Sequence, residues 1–437
     1  MSSTDHTTIH QTGLDRCFRC ATFPKASRLF LGILQSAWKF LSRRIEFLAL
    51  ASSNYRYCFS RNSSRYLPRL EFYFVCVLML TLVMPTCNRW AYLERLLTYF
   101  ADFRLEHTLL IGDSSGSSQA AKAKQVLGSV SGQLSVKLQP YPGLFTFHCI
   151  LDLLNQVTTP YAVFAADDDF FVPNGLNDAV AFLECHSDYV GASGKAILFE
   201  VRSDDAHGPI TSTWLYPQGS VEHATASQRL IAHLKNYRPT IYAVHRTELL
   251  RESYQSIVDL NLDNSFGELL PSSVPIILGK VKTLDRLYMV RQSHANMTST
   301  KLNSDMFDWV SGPQWAIQWE RFRDCLAQEV VRVDKIGIGE AREIVKQAFW
   351  FHLRHGFAQN LEERYSPCET SLSARVYRML RDIPALRSAW RDLRSFFPGH
   401  GNDEYKALLP ALLRSSSPYH ADFLPIYRSI TSYSISG

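Results

Sequence analysis

The segment Thr159–Pro173, TPYAVFAADDDFFVP, constrains this chain more than any other. Ala162–Ala166 is a short, wholly apolar run, which reads as a strand buried on both faces, as in a parallel sheet. It runs directly into Asp167, Asp168 and Asp169, and two phenylalanines follow. Three adjacent carboxylates repel one another unless cationic groups stand among them. Taken alone they read either as a solvated acidic turn or as a cation site. The apolar segments on both sides favour the second, and ligands of open α/β sheets bind outside the carboxyl ends of the strands.

The same grammar recurs upstream. Leu80–Met84 reads as a strand ended by Pro85, and Tyr92–Phe103 follows with Leu93, Leu96, Leu97 and Phe100 at helical spacing. Leu109–Gly112, Leu134–Leu138 and Ala162–Ala166 are further strands, separated by helices over 120–127 and 147–156. Strands alternating with helices predict βαβ units and a mostly parallel sheet flanked by helices. Downstream the pattern predicts a helix over 176–185, a strand over 188–198, a polar loop over 203–223, a strand over 240–245 and a last strand over 279–290. Residues 300–437 carry no strand pattern and read as helical. The expected organisation is an N-terminal extension (1–78), poorly ordered or amphipathic, one α/β domain (79–298), and a helical C-terminal region (299–437).

Composition excludes some classes. The net charge of +5 implies no binding of bulk polyanions such as nucleic acid. No run of 18 apolar residues is free of charge, so no transmembrane helix is expected. The nine cysteines form no dense framework, and the Cys17/Cys20 pair has no second pair at zinc spacing. A reducing, cytoplasmic setting follows. An amphipathic helix is expected over 26–50. The pattern from Ser373 to Phe397 is basic and amphipathic, with Arg375, Arg378, Arg381, Arg387, Arg391 and Arg394 interleaved with apolar residues and broken at Pro384. It suits either packing on the α/β domain or peripheral contact with an anionic membrane.

Three strand-end turns carry the chemistry. Thr86-Cys87-Asn88-Arg89 precedes a helix, whose free N–H groups and adjacent Arg favour an anion. Asp113 after the second strand reads as a helix cap or as an acceptor for a base or ribose. Asp167–Asp169 offers hard oxygen ligands suited to Mg²⁺ or Mn²⁺, which also hold substrate phosphates. No GxGxxG and no GxxxxGK[ST] occurs, so neither a dinucleotide fold nor a P-loop is supported.

The ordered set TLVMPTCNRWAYLERLL, LLIGDSS and YAVFAADDDFFVP resembles the family 2 glycosyltransferases with the GT-A fold, with a bacterial-type subgroup as the nearest match. The resemblance covers residues 80–295, about half of the chain. It implies that Pro85, Thr86 and Arg89 flank the nucleotide of a nucleotide-diphosphate sugar, most often a UDP-sugar. It implies that Asp113 reads the base, that Asp167 and Asp168 lie near ribose and diphosphate, and that Asp169 closes a metal site. Asp167 would join Asp169 around the Mg²⁺ or Mn²⁺, and His294 would either complete the metal shell or touch phosphate. Inverting members use a carboxylate on a later helix to deprotonate the acceptor hydroxyl. Glu268 is the matching residue and Asp263 the fallback. Leu269 follows Glu268 where the family has a Glu-Asp pair, and the Gln-x-x-Arg-Trp sequence is absent. The acceptor implied is a glycan or a lipid-linked group. Trp214, Tyr216, Tyr237 and Tyr242 fall where a sugar or acceptor could stack. A nucleotidyltransferase on a related sheet and an inactive sugar- or nucleotide-binding protein are the alternatives.

Overall fold

The computed structural model describes residues 79–144, 146–202, 205–294, 305–365 and 408–431. The helix expected over 26–50, the Cys17/Cys20 pair and the basic pattern of 373–397 lie outside the described residues.

Strand β1 (Leu80–Thr86) pairs in parallel with β2 (Thr108–Asp113) and with β4 (Tyr161–Phe164), and β2 pairs in parallel with β3 (Val136–Pro140). Helices α1 (Trp90–Asp102), α2 (Ala120–Ser129) and α3 (Thr146–Gln156) make the crossovers. Strands β1, β2 and β4 are buried on both faces, and their side chains divide by alternation. Leu82 and Met84 enter one core, while Val83 between them enters the other. Leu109 and Ile111 flank Leu110 in the same way. That is why the strands read as unbroken apolar runs rather than as alternating ones.

The second half of the sheet is mixed. β6 (Tyr189–Val201) runs parallel to β9 (Lys280–Gln292) and antiparallel to β8 (Val244–Arg246), which itself lies antiparallel to β4. The two-residue strand β5 (Phe170–Phe171) pairs antiparallel with Val290 and Met289 of β9. The expected α/β sheet flanked by helices, with a helical C-terminal region, is the architecture observed. Two segments differ from expectation. The loop read over 203–223 contains β7 (Ile210–Tyr216), which forms an antiparallel ladder with β6. Its β-branched and aromatic residues, ITSTWLY, suit a half-exposed edge strand, where polar residues on the outward face hide the apolar ones. The strand read over 240–245 shrinks to 244–246, because Thr240–Ala243 closes a turn with Ala243 N–H donating to Thr240 O.

One helical layer holds α1, α2, α4 (Pro173–Cys185), α11 (Leu408–Leu413) and the C-terminal α12 (His420–Thr431), whose Phe423, Ile426 and Ile430 join the first core. The other holds α3, α5 (Ala226–Lys235), α6 (Thr247–Leu260), α7 (Asn264–Leu278), α8 (Met306–Val310), α9 (Trp315–Asp334) and α10 (Ile338–Tyr365). Phe322, Leu326, Val330 and Val345 of α9 and α10 are fully buried against it. Each such side chain is worth about 1.5–3 kcal/mol when buried, so these helices are integral to the fold. No helix among the described residues is long and apolar enough to cross a membrane.

Candidate active site

Parallel register sets the site. Thr86 lies opposite Asp113, and Val83 opposite Phe164, so β1, β2 and β4 end at one edge. The first two turns are stitched together there. Ser114 N–H donates to Thr86 O at 2.9 Å, and Asn88 N–H to Ser115 Oγ at 2.7 Å. Asn88 takes up left-handed backbone (φ 56°) to turn the chain into α1, a conformation asparagine tolerates better than most residues. Asp113 accepts from Trp90 Nε1 at 3.1 Å and from Ser115 N–H at 2.8 Å. Pro85 sits in β1 itself, opposite Gly112.

The three aspartates form the link between β4 and β5. Because β5 is locked onto β9, the end of β9 brings Arg291, Gln292 and His294 against them. Asp167, Asp168 and Asp169 are only 4, 7 and 1% exposed. Asp167 accepts from Thr86 Oγ1 at 2.7 Å, and Arg89 Nε lies 3.3 Å from its other oxygen. Asp168 Oδ2 accepts from Arg89 Nη2 and lies 2.9 Å from His294 Nε2. Asp169 takes Arg291 Nε at 2.9 Å on one oxygen and Gln292 N–H at 3.1 Å on the other. Tyr92 stacks on His294, with ring centroids 5.1 Å apart.

Burial pushes the Asp167 carboxyl up to about 7, with repulsion from Asp168 adding to it and Arg89 and Thr86 opposing. Burial also raises Asp169, to about 6, against the pull of Arg291. Burial would raise Asp168 as well, but the hydrogen bond from His294 and the Arg89 guanidinium outweigh it and hold Asp168 well below the usual range. A carboxyl whose folded pKa is raised stabilises the fold below its unfolded pKa, and that stability is lost as pH rises through the folded value. The stability advantage of the wild type over Asp167→Asn is therefore expected to shrink between pH 5 and pH 8. Urea midpoints of both proteins at the two pH values check this.

The expected metal ligands each meet another group in this structure. Asp169, expected to close a metal site, is turned onto Arg291 and the backbone of Gln292, and both its oxygens are engaged. His294 serves Asp168, and Asp167 faces Arg89. Among the described residues no group of three or more His, Cys, Asp or Glu side chains is arranged to hold a metal ion.

Glu268 lies on α7, half-buried, and accepts from Tyr237 OH at 3.1 Å. Burial raises its pKa, against the Tyr237 hydrogen bond and the charge of Arg291. Arg291 donates to Asp169, and its charge also lowers the Glu268 pKa. Its guanidinium packs over the rings of Tyr242 (4.4 Å) and Tyr216 (5.1 Å). Tyr216 and Tyr242 thus lie against Arg291, and Tyr237 against Glu268. Trp214 is a strand residue of β7 opposite Leu198. Asp263, the fallback base, is a structural residue instead. One oxygen caps α7 through Phe266 N–H at 2.9 Å, and the other accepts from Trp309 Nε1 at 2.9 Å.

Sequence reasoning missed Arg95 and gave no role to Arg291. Arg95 sits on α1 between Leu93 and Leu96 and is 2% exposed. It donates to Asp168 O at 2.8 Å, to Gln292 Oε1 at 2.6 Å and to Ala206 O, while packing over the Phe170 ring at 4.6 Å. Burial lowers its pKa to about 10. The signal available was an arginine on the apolar stripe of a helix, which requires buried acceptors.

No protein-family model matches the chain, and no curated protein matches it in sequence. Among solved structures it is similar to residues 1–349 of S. aureus TarS in complex with UDP-GlcNAc, at 17% identity over 67% of this chain and 78% of that one, with a TM-score of 0.44. It is also similar to the mannosyltransferase PcManGT of Pyrobaculum calidifontis in complex with GDP-Man and Mn²⁺, at 13% identity over 80% and 84% of the two chains, with a TM-score of 0.34.

Proposed function

We propose that this chain is a glycosyltransferase that moves a sugar from a nucleotide-diphosphate sugar to an acceptor hydroxyl, inverting the anomeric carbon by direct displacement. The observation that carries the reading is the common edge at which β1, β2 and β4 end, where Arg89 and Arg291 meet the buried Asp167–Asp169. On the donor side, Arg89 and the amino terminus of α1 supply positive charge for a leaving diphosphate. On the acceptor side, Glu268 takes the hydroxyl proton, and a carboxyl raised by burial is the better base for it. Tyr242 and Tyr216 flank Arg291 and offer faces for a sugar ring. Base recognition by Asp113 and the choice of a UDP-sugar belong to the same reading, which rests there on the sequence resemblance. Mg²⁺ and Mn²⁺ have no step in it.

A thermal-shift screen across nucleoside diphosphates and their sugars tests this. A rise in melting temperature with at least one nucleoside diphosphate, and none with the free nucleoside, is expected. No rise with any of them would refute the donor site. Tyr237 tunes the base: its hydrogen bond lowers the Glu268 pKa, so Tyr237→Phe raises it further. The acid limb of the pH–rate profile is expected to move to higher pH in that variant, and an unmoved limb would remove Tyr237 from the account.

A further inference from the structure

Asp167 and Asp168 share one guanidinium. Arg89 Nε approaches Asp167 Oδ1 at 3.3 Å while its Nη2 donates to Asp168 Oδ2. His294 Nε2 reaches that same Asp168 oxygen at 2.9 Å and Arg89 Nη2 at 3.1 Å. Asp169 turns to Arg291, and Arg95 holds the Asp168 carbonyl from behind. Three carboxylates are thus matched by the three guanidinium groups of Arg89, Arg95 and Arg291. The carboxylates are almost fully buried. A divalent cation entering this cluster would bring two uncompensated positive charges into poorly solvated surroundings, where isolated charge is costly. It would also find the position between Asp167 and Asp168 filled. Hard cations need several free oxygens at close range, and here each carboxylate is already paired.

We propose that in the ligand-free protein Arg89 stands in the place of a divalent cation between Asp167 and Asp168, and keeps Mg²⁺ and Mn²⁺ out. Arg89 is thus a built-in counter-ion. Its side chain is 17% exposed, so its outer edge still faces solvent while its inner edge is held. The inference rests on this geometry alone and holds whether or not the chain transfers sugar.

Mn²⁺ binding to the full chain without nucleotide, followed by loss of the free-ion EPR signal, tests it. The wild type is expected to leave equimolar Mn²⁺ free. Arg89→Met, with its fold verified by circular dichroism, opens the Asp167–Asp168 oxygens and is expected to bind Mn²⁺ roughly tenfold more tightly than the wild type. Stoichiometric Mn²⁺ binding by the wild type that is lost in Asp169→Asn would overturn the inference. So would a folded Arg89→Met with no gain. Removing Arg89 leaves two buried carboxylates without their partner, and a failure of that variant to fold leaves the wild-type measurement decisive by itself. Nucleoside diphosphate binding is measured separately, so a failure here is distinct from a failure of the donor-site reading.

Discussion

Glu268→Gln is expected to lower sugar transfer by about 10²–10⁴-fold, the usual contribution of a general base. The amide is nearly isosteric and still accepts from Tyr237 OH through its carbonyl oxygen. Packing on α7 is therefore retained, and only the capacity to take a proton is lost. The loss should fall on kcat, with donor affinity unchanged, because in this reading Glu268 acts on the acceptor hydroxyl and not on the nucleotide. Steady-state rates with varied donor, together with the equilibrium affinity for the nucleoside diphosphate, separate the two. A variant that keeps more than half the wild-type rate would remove Glu268 from the chemistry. Asp263 could not then inherit the role, because Phe266 N–H and Trp309 Nε1 hold both of its oxygens.

The second large effect is on stability. Arg95→Leu keeps an apolar stem on α1 but deletes the guanidinium that serves Asp168 O, Gln292 Oε1 and Ala206 O. Each buried acceptor left without a donor costs about 1–3 kcal/mol. With partial relaxation the variant is expected to lose about 3–5 kcal/mol, the range seen when one partner of a buried charged group is removed. Chemical denaturation measures this. A loss below about 1 kcal/mol would mean that the acceptors find other partners and that Arg95 does not hold the cluster together. Because Arg95 ties the Asp168 backbone to β9, a weakened binding of donor should accompany the lost stability.

The parts of this molecule legible in its sequence are those where one local signal suffices. β1, β2 and β4 are buried on both faces, so their apolar runs stand out, and their shared polar ends follow from parallel register. What stayed hidden depends on long-range pairing. Nothing near Asp169 announces Arg291, 122 positions away, as its partner. A cluster of carboxylates asks for cations, and the sequence does not say whether an ion or a distant arginine supplies them. Asp263 misled in the opposite sense, since a capping aspartate and a catalytic one look alike until the Trp309 ring is seen against it. β7 was masked by the polar residues of its outward face.

The central claim is that a nucleotide-diphosphate sugar is cleaved at the edge formed by Arg89, Asp167–Asp169 and Glu268. Release of nucleoside diphosphate from a panel of nucleotide sugars, with and without simple glycan acceptors, tests it most directly. The account predicts that the wild type releases the diphosphate from at least one donor and that Glu268→Gln, equally well folded, releases it at least about a hundredfold more slowly. Equal release by both proteins, or none from any donor by the wild type, would contradict it.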